Sequence, residues 1–171
     1  MAAPFPACPA PDSVDAFACA AAEFVGWCEA AAGEPEAEAH AVLRHLVDLY
    51  SLALRLHMRD CDLEPEPVGR ADDAAWRAVF ERCAALPFSC YASVFDPRSV
   101  RTGAAELDMG DLADDLADIY RDLTSGLSLY RAGHREAAEW DWCFSFRNHW
   151  GRHATGALRA LHCWAADEAA W

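Results

Sequence analysis

Apolar positions recur at steps of three and four along most of this chain, the spacing that aligns side chains on one face of an α-helix. They run from Val14 through Phe17, Ala21, Phe24 and Cys28, with Asp12 or Ser13 placed to cap the first turn and Gly33 to close the segment. A second helix is expected from Pro35, which costs no hydrogen bond at a first helical position. Glu34, Glu36 and Glu38 suit the positive end of its dipole, and Arg55 and Arg59 the negative end. Val42, Leu43, Leu46, Leu49, Tyr50, Ala53, Leu54 and Leu56 make a wide apolar face, which predicts a central helix of the core. A short third helix starts at Asp72 or Asp73, turns Trp76, Val79, Phe80, Cys83 and Leu86 inward and stops before Pro87.

Pro65, Pro67 and Gly69 make residues 60–71 a surface connection. From Phe88 to Gly110 the period disappears; Tyr91, Val94 and Phe95 are expected to pack in extended form before Asp96-Pro97 turns the chain. A loop this long without regular structure is usually functional or partly disordered. Helix four is predicted from about Asp111 to Ala132, stopped by Gly133, with Leu112, Leu116, Ile119, Leu123, Leu127 and Tyr130 in one stripe. Helix five begins near His134 and continues to about Trp164 with a bend at Gly151. Its core side is Cys143, Phe146, Trp150, Ala154, Ala157, Leu161 and Trp164, and its wet side is Asp141, Asn148, Arg152, Thr155 and Arg159. The expectation is therefore an all-α fold: a single antiparallel bundle of about five helices, with one long irregular connection between helices three and four. It spans 12–165, between a flexible Pro-rich arm (1–11) and an acidic C-terminal tail (166–171).

Composition narrows the partners. The 171 residues carry Asp+Glu 28 against Lys+Arg 14, a formal charge of -14, and are 54% hydrophobic. That is too apolar for a disordered acidic tail and of the wrong sign for nucleic acid or anionic lipid. No run is long enough to span a membrane, and the start lacks the basic residues and unbroken apolar stretch of a secretory signal, so the cytoplasm is expected. The eight cysteines form no CxxC pair. Cys28, Cys83 and Cys143 fall on apolar helix positions and read as reduced core filler. The lack of Lys and Gln beside many Ala and Arg fits a bacterial genome rich in G and C.

Two constellations carry candidate chemistry. On helix four, Asp111, Asp115, Asp118 and Asp122 follow one another by four, three and four, so their carboxylates flank the apolar stripe in a line. Such a line can chelate Mg²⁺ or Mn²⁺, or it can be a solvated edge whose acids pair with arginines. On helix five, His149 and His153 stand four apart with Trp142 and Ala160 on the same flank. The pair can hold zinc, though catalytic zinc needs a third protein ligand, and half-buried imidazoles bonded to carboxylates are the plainer reading. Arg147, on the opposite flank, is a candidate to meet an acidic stripe. Asp115, Asp118, Arg147, His149 and His153 are thus the expected polar cluster. Gly151 and Gly156 cost about 1 kcal/mol each against Ala in a helix, which points to a close backbone approach or a pocket. No Walker loop, GxGxxG, GxSxG or kinase set is present.

DDLADIYRDL (114–123) and HWGRHATGALRALH (149–162) resemble the hallmark segments of a bacterial family, domain of unknown function 5063. The likeness extends to AAEFVGWCEAA (21–31), VLRHLVDLYSLAL (42–54) and YASVF (91–95). It implies an all-helical bacterial protein and carries no activity or catalytic residue. DDLAD (114–118) also resembles the ELxD helix of all-α MazG-type nucleotide pyrophosphohydrolases, in which Asp115 and Asp118 would match the second acidic pair holding Mg²⁺. Their EExxE partner motif has no counterpart beyond Glu34, Glu36 and Glu38, which crowd a helix start.

Three functions follow as expectations. The first is a non-enzymatic module binding a protein partner, motivated by seven Trp, several at helix edges, and by Arg98 and Arg101 in the 88–110 loop. It needs no cofactor. The second is a divalent-metal phosphohydrolase using the Asp stripe and histidines with Mg²⁺ or Zn²⁺. The third is a small-molecule pocket at the Gly151/Gly156 bend, lined by Trp142, Trp150 and Tyr120. Neither the partner nor the oligomeric state is legible at this level.

Overall fold

The computed structural model describes residues 13–58, 69–94, 98 and 107–167. The Pro-rich arm, Asp12, residues 59–68, Phe95 with the Asp96-Pro97 turn, Arg101 and the end of the acidic tail lie outside the described residues.

The fold is predominantly all-α, as the periodicity predicts. Helix α1 is Ser13–Glu29, α2 Pro35–Ala53 and α3 Asp73–Cys83. Two short strands follow, β1 (Cys90–Val94) and β2 (Leu107–Asp111), and β2 runs directly into α4 (Leu112–Arg131). One further helical run closes the chain: α5 (Arg135–Ser145), a π-helical segment (Phe146–Trp150) and α6 (Gly151–Asp167). The described helices include none long and apolar enough to cross a membrane.

Local chemistry accounts for most of the boundaries. Asp72 caps α3 by accepting from the Ala75 N–H at 2.8 Å, and Asp111 caps α4 by accepting from Ala113 at 2.9 Å. Gly133, at φ 86°, ends α4, and the His134 N–H then reaches back to the Leu129 carbonyl at 2.9 Å.

Helix α2 contributes to the core as expected, with Val42, Leu46 and Leu49 fully buried, and α4 has the most packing partners. Helix α4 packs against α1, α3, α5 and α6, whereas α2 lies against α1 and α6. Leu54, assigned to the apolar face of α2 by its spacing, lies just past the end of that helix and is left 66% exposed. The core is filled by Phe17, Phe24, Leu46, Leu49, Leu116, Ile119, Leu123, Trp142, Trp150 and Leu161, none of them solvent-accessible. Cys28, Cys83 and Cys143 are buried free thiols, as their positions predict. Burial raises the Cys83 thiol to about 11, which keeps it protonated.

The extended packing expected at Tyr91 and Val94 is found as β1, whereas the irregular 88–110 connection is corrected at its far end, where Leu107–Asp111 forms a strand. Strands β1 and β2 pair antiparallel, with Cys90 opposite Asp111 and Val94 opposite Leu107. LDMGD offers only two alternating apolar residues, Leu107 and Met109, and both are left exposed (86% and 72%), so the signal is short; its ladder forms because β1 lies alongside and α4 anchors its end. The expected pocket is also corrected. A Cβ at Gly151 would strike the Phe146 carbonyl and one at Gly156 the Tyr91 hydroxyl. Trp142 and Trp150 are sealed in the core.

Candidate metal centre

Residues on α4 and on the last helical run meet across a shared margin. Asp115, Asp118 and Asp122 project from α4 towards His149 and His153, which straddle the junction of the π-helical segment and α6. Each imidazole is held through Nδ1: His149 at 2.7 Å from Asp122 Oδ2, and His153 at 2.7 Å from Asp115 Oδ1. Against a carboxylate that nitrogen must carry the proton, so in the neutral ring the Nε2 lone pair is left free. Both Nε2 atoms lie 3.7 Å from the same oxygen, Asp118 Oδ2. The two rings meet edge to face with centroids 4.8 Å apart.

Outer contacts orient this set further. The Trp76 indole N–H donates to Asp118 Oδ1 at 2.8 Å, which leaves Oδ2 to face the imidazoles. Arg70 pairs with Asp122 Oδ1 at 3.3 Å. The Tyr91 hydroxyl donates to Asp115 Oδ2 in a short bond. Asp115 and Asp122 are nearly buried, Asp118 is partly open and His149 is 46% exposed, so the set is reachable from solvent on the His149 side.

Electrostatics follows the geometry. The Asp115 hydrogen bond raises the His153 pKa above its usual value, against a smaller lowering by burial. Burial, then the Asp118 charge, raises Asp114. Burial and the bond to Asp115 push the Tyr91 phenol well above its ordinary range, so it stays a donor.

Asp118, His149 and His153 form the group able to share a cation, with ligand atoms all within 4.8 Å of one another. Metal–ligand bonds near 2.1 Å at a tetrahedral angle place donor atoms about 3.4 Å apart, close to the two Nε2–Oδ2 separations of 3.7 Å, while the widest separation in the set, within 4.8 Å, would have to close further. Asp115 and Asp122 are spent orienting the histidines.

Asp111 and Arg147, also candidates from the sequence, take no part in the network at all. Asp111 sits on the same helical line, but its carboxylate is committed to capping α4. Arg147 is corrected: on the opposite flank, it donates to the Met58 sulfur at 3.0 Å and takes no part in the cluster. Trp142 turns into the core instead of flanking the histidines, its indole N–H on the Leu123 carbonyl at 3.3 Å. Sequence reasoning missed Tyr91, Trp76 and Arg70, the first two because aromatics on apolar positions read as packing. The one signal was Gly156, whose missing side chain makes room for Tyr91. A MazG-type cage lacks its second half: Glu38 is held by Arg82 at 2.6 Å and by the Gly33 N–H at 3.0 Å.

The crystal structure of protein BF1032 from Bacteroides fragilis is similar, with a TM-score of 0.69 and 21% identity over 89% of this chain and 94% of that one. At that identity the likeness concerns the fold alone. A comparison with curated proteins gives no match. The family model for a domain of unknown function (DUF5063) matches residues 10–167, and the chain therefore belongs to that family.

Proposed function

We propose that this protein works through a single divalent-metal centre in which Asp118 Oδ2, His149 Nε2 and His153 Nε2 are the protein ligands. The carrying observation is the convergence of both Nε2 atoms on one carboxylate oxygen while both Nδ1 atoms are pinned by other carboxylates. Metal-ligating histidines are commonly oriented in this way through the second ring nitrogen. Two imidazoles favour zinc or a similar transition ion over Mg²⁺, which prefers an all-oxygen shell. Three protein ligands leave a position for water, whose pKa zinc lowers to about 7. The reaction class that fits is hydrolysis, for which an ion held by Asp118, His149 and His153 would supply Lewis acidity. Asp114, Asp115, Asp118 and Asp122 make the surroundings acidic, and Arg70 offsets part of that charge at Asp122. A phosphohydrolase would therefore need additional cations to hold its anionic substrate, and neutral substrates fit better.

Titration calorimetry tests the centre directly. Zn²⁺ should bind one per chain with micromolar or tighter affinity, Mg²⁺ at millimolar concentration should give no heat, and Asp118→Asn or His153→Ala should weaken zinc at least about tenfold. Absence of zinc binding in the folded wild-type protein would remove the proposal.

A protein-interaction role is the second reading. Trp140 and Phe144 stack on the outside of α5, centroids 5.0 Å apart, 37% and 46% exposed. Exposed aromatics of this kind anchor interfaces. Trp140→Ser with Phe144→Ser should abolish association measured by sedimentation velocity or partner capture while leaving zinc binding intact; unchanged association would sink this reading.

A further inference from the structure

Tyr91 reaches the cluster from the hairpin, outside the helices. It stands opposite Gly110 in the strand register, where a Cβ would collide with its ring. Farther along the same side chain, a Cβ at Gly156 on α6 would collide with its hydroxyl oxygen. Two separate elements therefore lack a side chain along the path of one phenol. Filling space does not require this, since a smaller residue at 91 with alanines at 110 and 156 would occupy the same volume. The path ends at Asp115 Oδ2, and the other oxygen of that carboxylate holds His153 Nδ1.

We infer that Tyr91 is a positioning residue of the centre: its hydroxyl fixes the Asp115 carboxylate so that His153 is kept with the proton on Nδ1 and with Nε2 aimed at Asp118. The consequence for metal rests on the reading above, whereas the effect on the imidazole exists without any ion. A lone carboxylate on a half-buried helix face can rotate and share its oxygens with other donors. Anchoring Oδ2 to a donor that stays protonated removes that freedom and leaves Oδ1 for the histidine. The hairpin thus joins the centre through two hydrogen bonds in series.

Two measurements on the full chain separate this inference from the metal reading. The ¹⁵N shifts of the His153 ring in metal-free protein report which nitrogen carries the proton, and zinc affinity is read by competition with a chromophoric chelator. Recorded at a pH high enough for the ring to be neutral, wild type should show one tautomer, protonated at Nδ1. Tyr91→Phe, which keeps the ring and its packing, should give averaged tautomer signals and weaken zinc by about threefold to tenfold, less than a direct partner of the ligand would. Gly156→Ala, which leaves the tyrosine in the chain but obstructs its hydroxyl, should reproduce both effects. The double variant should be no worse than Tyr91→Phe, because both act on one bond. Unchanged tautomer signals in Tyr91→Phe with zinc affinity within twofold of wild type would overturn the inference. A shifted tautomer in a protein that binds no zinc would uphold the positioning of His153 and discard the metal centre.

Discussion

At the scale of single residues, the margin between α4 and α5 stores one charge under poor conditions. Asp141 accepts from Ser125 at 3.3 Å through Oδ1, while its Oδ2 is buried without a partner among the described residues. Burial, reinforced by the Asp122 charge, raises its pKa to about 6. A carboxyl whose folded pKa lies above its unfolded value near 3.9 contributes its full stability below pH of about 4 and loses it as pH rises through about 6. Asp141→Asn, which can still accept from Ser125, should leave the melting temperature nearly unchanged at pH 4 and raise it by about 2–4 °C at pH 8. Equal effects at both pH values would show that the carboxylate is not strained. In the sequence this residue reads as part of a wet face, and only the neighbouring helix reveals the burial.

At the scale of elements, the π-helical segment Phe146–Trp150 decides which side of the last helical run faces inward. Eight residues of regular α-helix set Trp142 and Trp150 about 80° apart. One extra residue taken up in a wide turn reduces that to about 20°, and both indoles are then fully buried. Phe146, expected in the core, is only partly buried as a result. Gly151 closes the wide turn by donating to the Phe146 carbonyl five residues back, where a Cβ would overlap the same carbonyl. Gly151→Ala should therefore destabilise by about 1–3 kcal/mol despite its better helix propensity, seen as a lower urea midpoint at unchanged slope. A rise in that midpoint would show that the turn relaxes to ordinary α-helix at no cost.

At the scale of the whole molecule, α4 links core and margin, because one face of it meets the apolar centre while its edge supplies all three clustered aspartates. Phe17 of α1 packs against Trp142 at 4.9 Å and Trp150 at 6.2 Å between ring centroids, on the far side of the same helices. Phe17→Ala should cost about 3–5 kcal/mol in chemical denaturation. An ion bound only by the folded chain stabilises it by mass action, about 2.7 kcal/mol at one hundred times the dissociation constant. Zinc at that concentration should raise the melting temperature by about 5–11 °C, reversibly with a chelator, and should do nothing for His149→Ala/His153→Ala. An equal rise in that variant would assign the effect to general screening of a chain with charge -14.

Helical periodicity, caps and stops determined the all-α class, the place of each helix and the edge on which Asp115, Asp118, Asp122, His149 and His153 stand, because these are properties of residues within a turn or two of one another. The same locality explains what was hidden. LDMGD carries only a two-residue alternation and becomes a strand through Tyr91 and its neighbours. Asp141 was placed by helical-wheel geometry, which one neighbouring helix was enough to overrule, whereas Arg147 stands on the flank that geometry gave it and meets Met58 instead of an acidic stripe. Whether two imidazoles share one carboxylate oxygen depends on how α4 and α6 pack, and Tyr91 enters from a hairpin far away in the chain. Spacing along a helix can align donors on one edge; only the packing of a second element against that edge decides what they face.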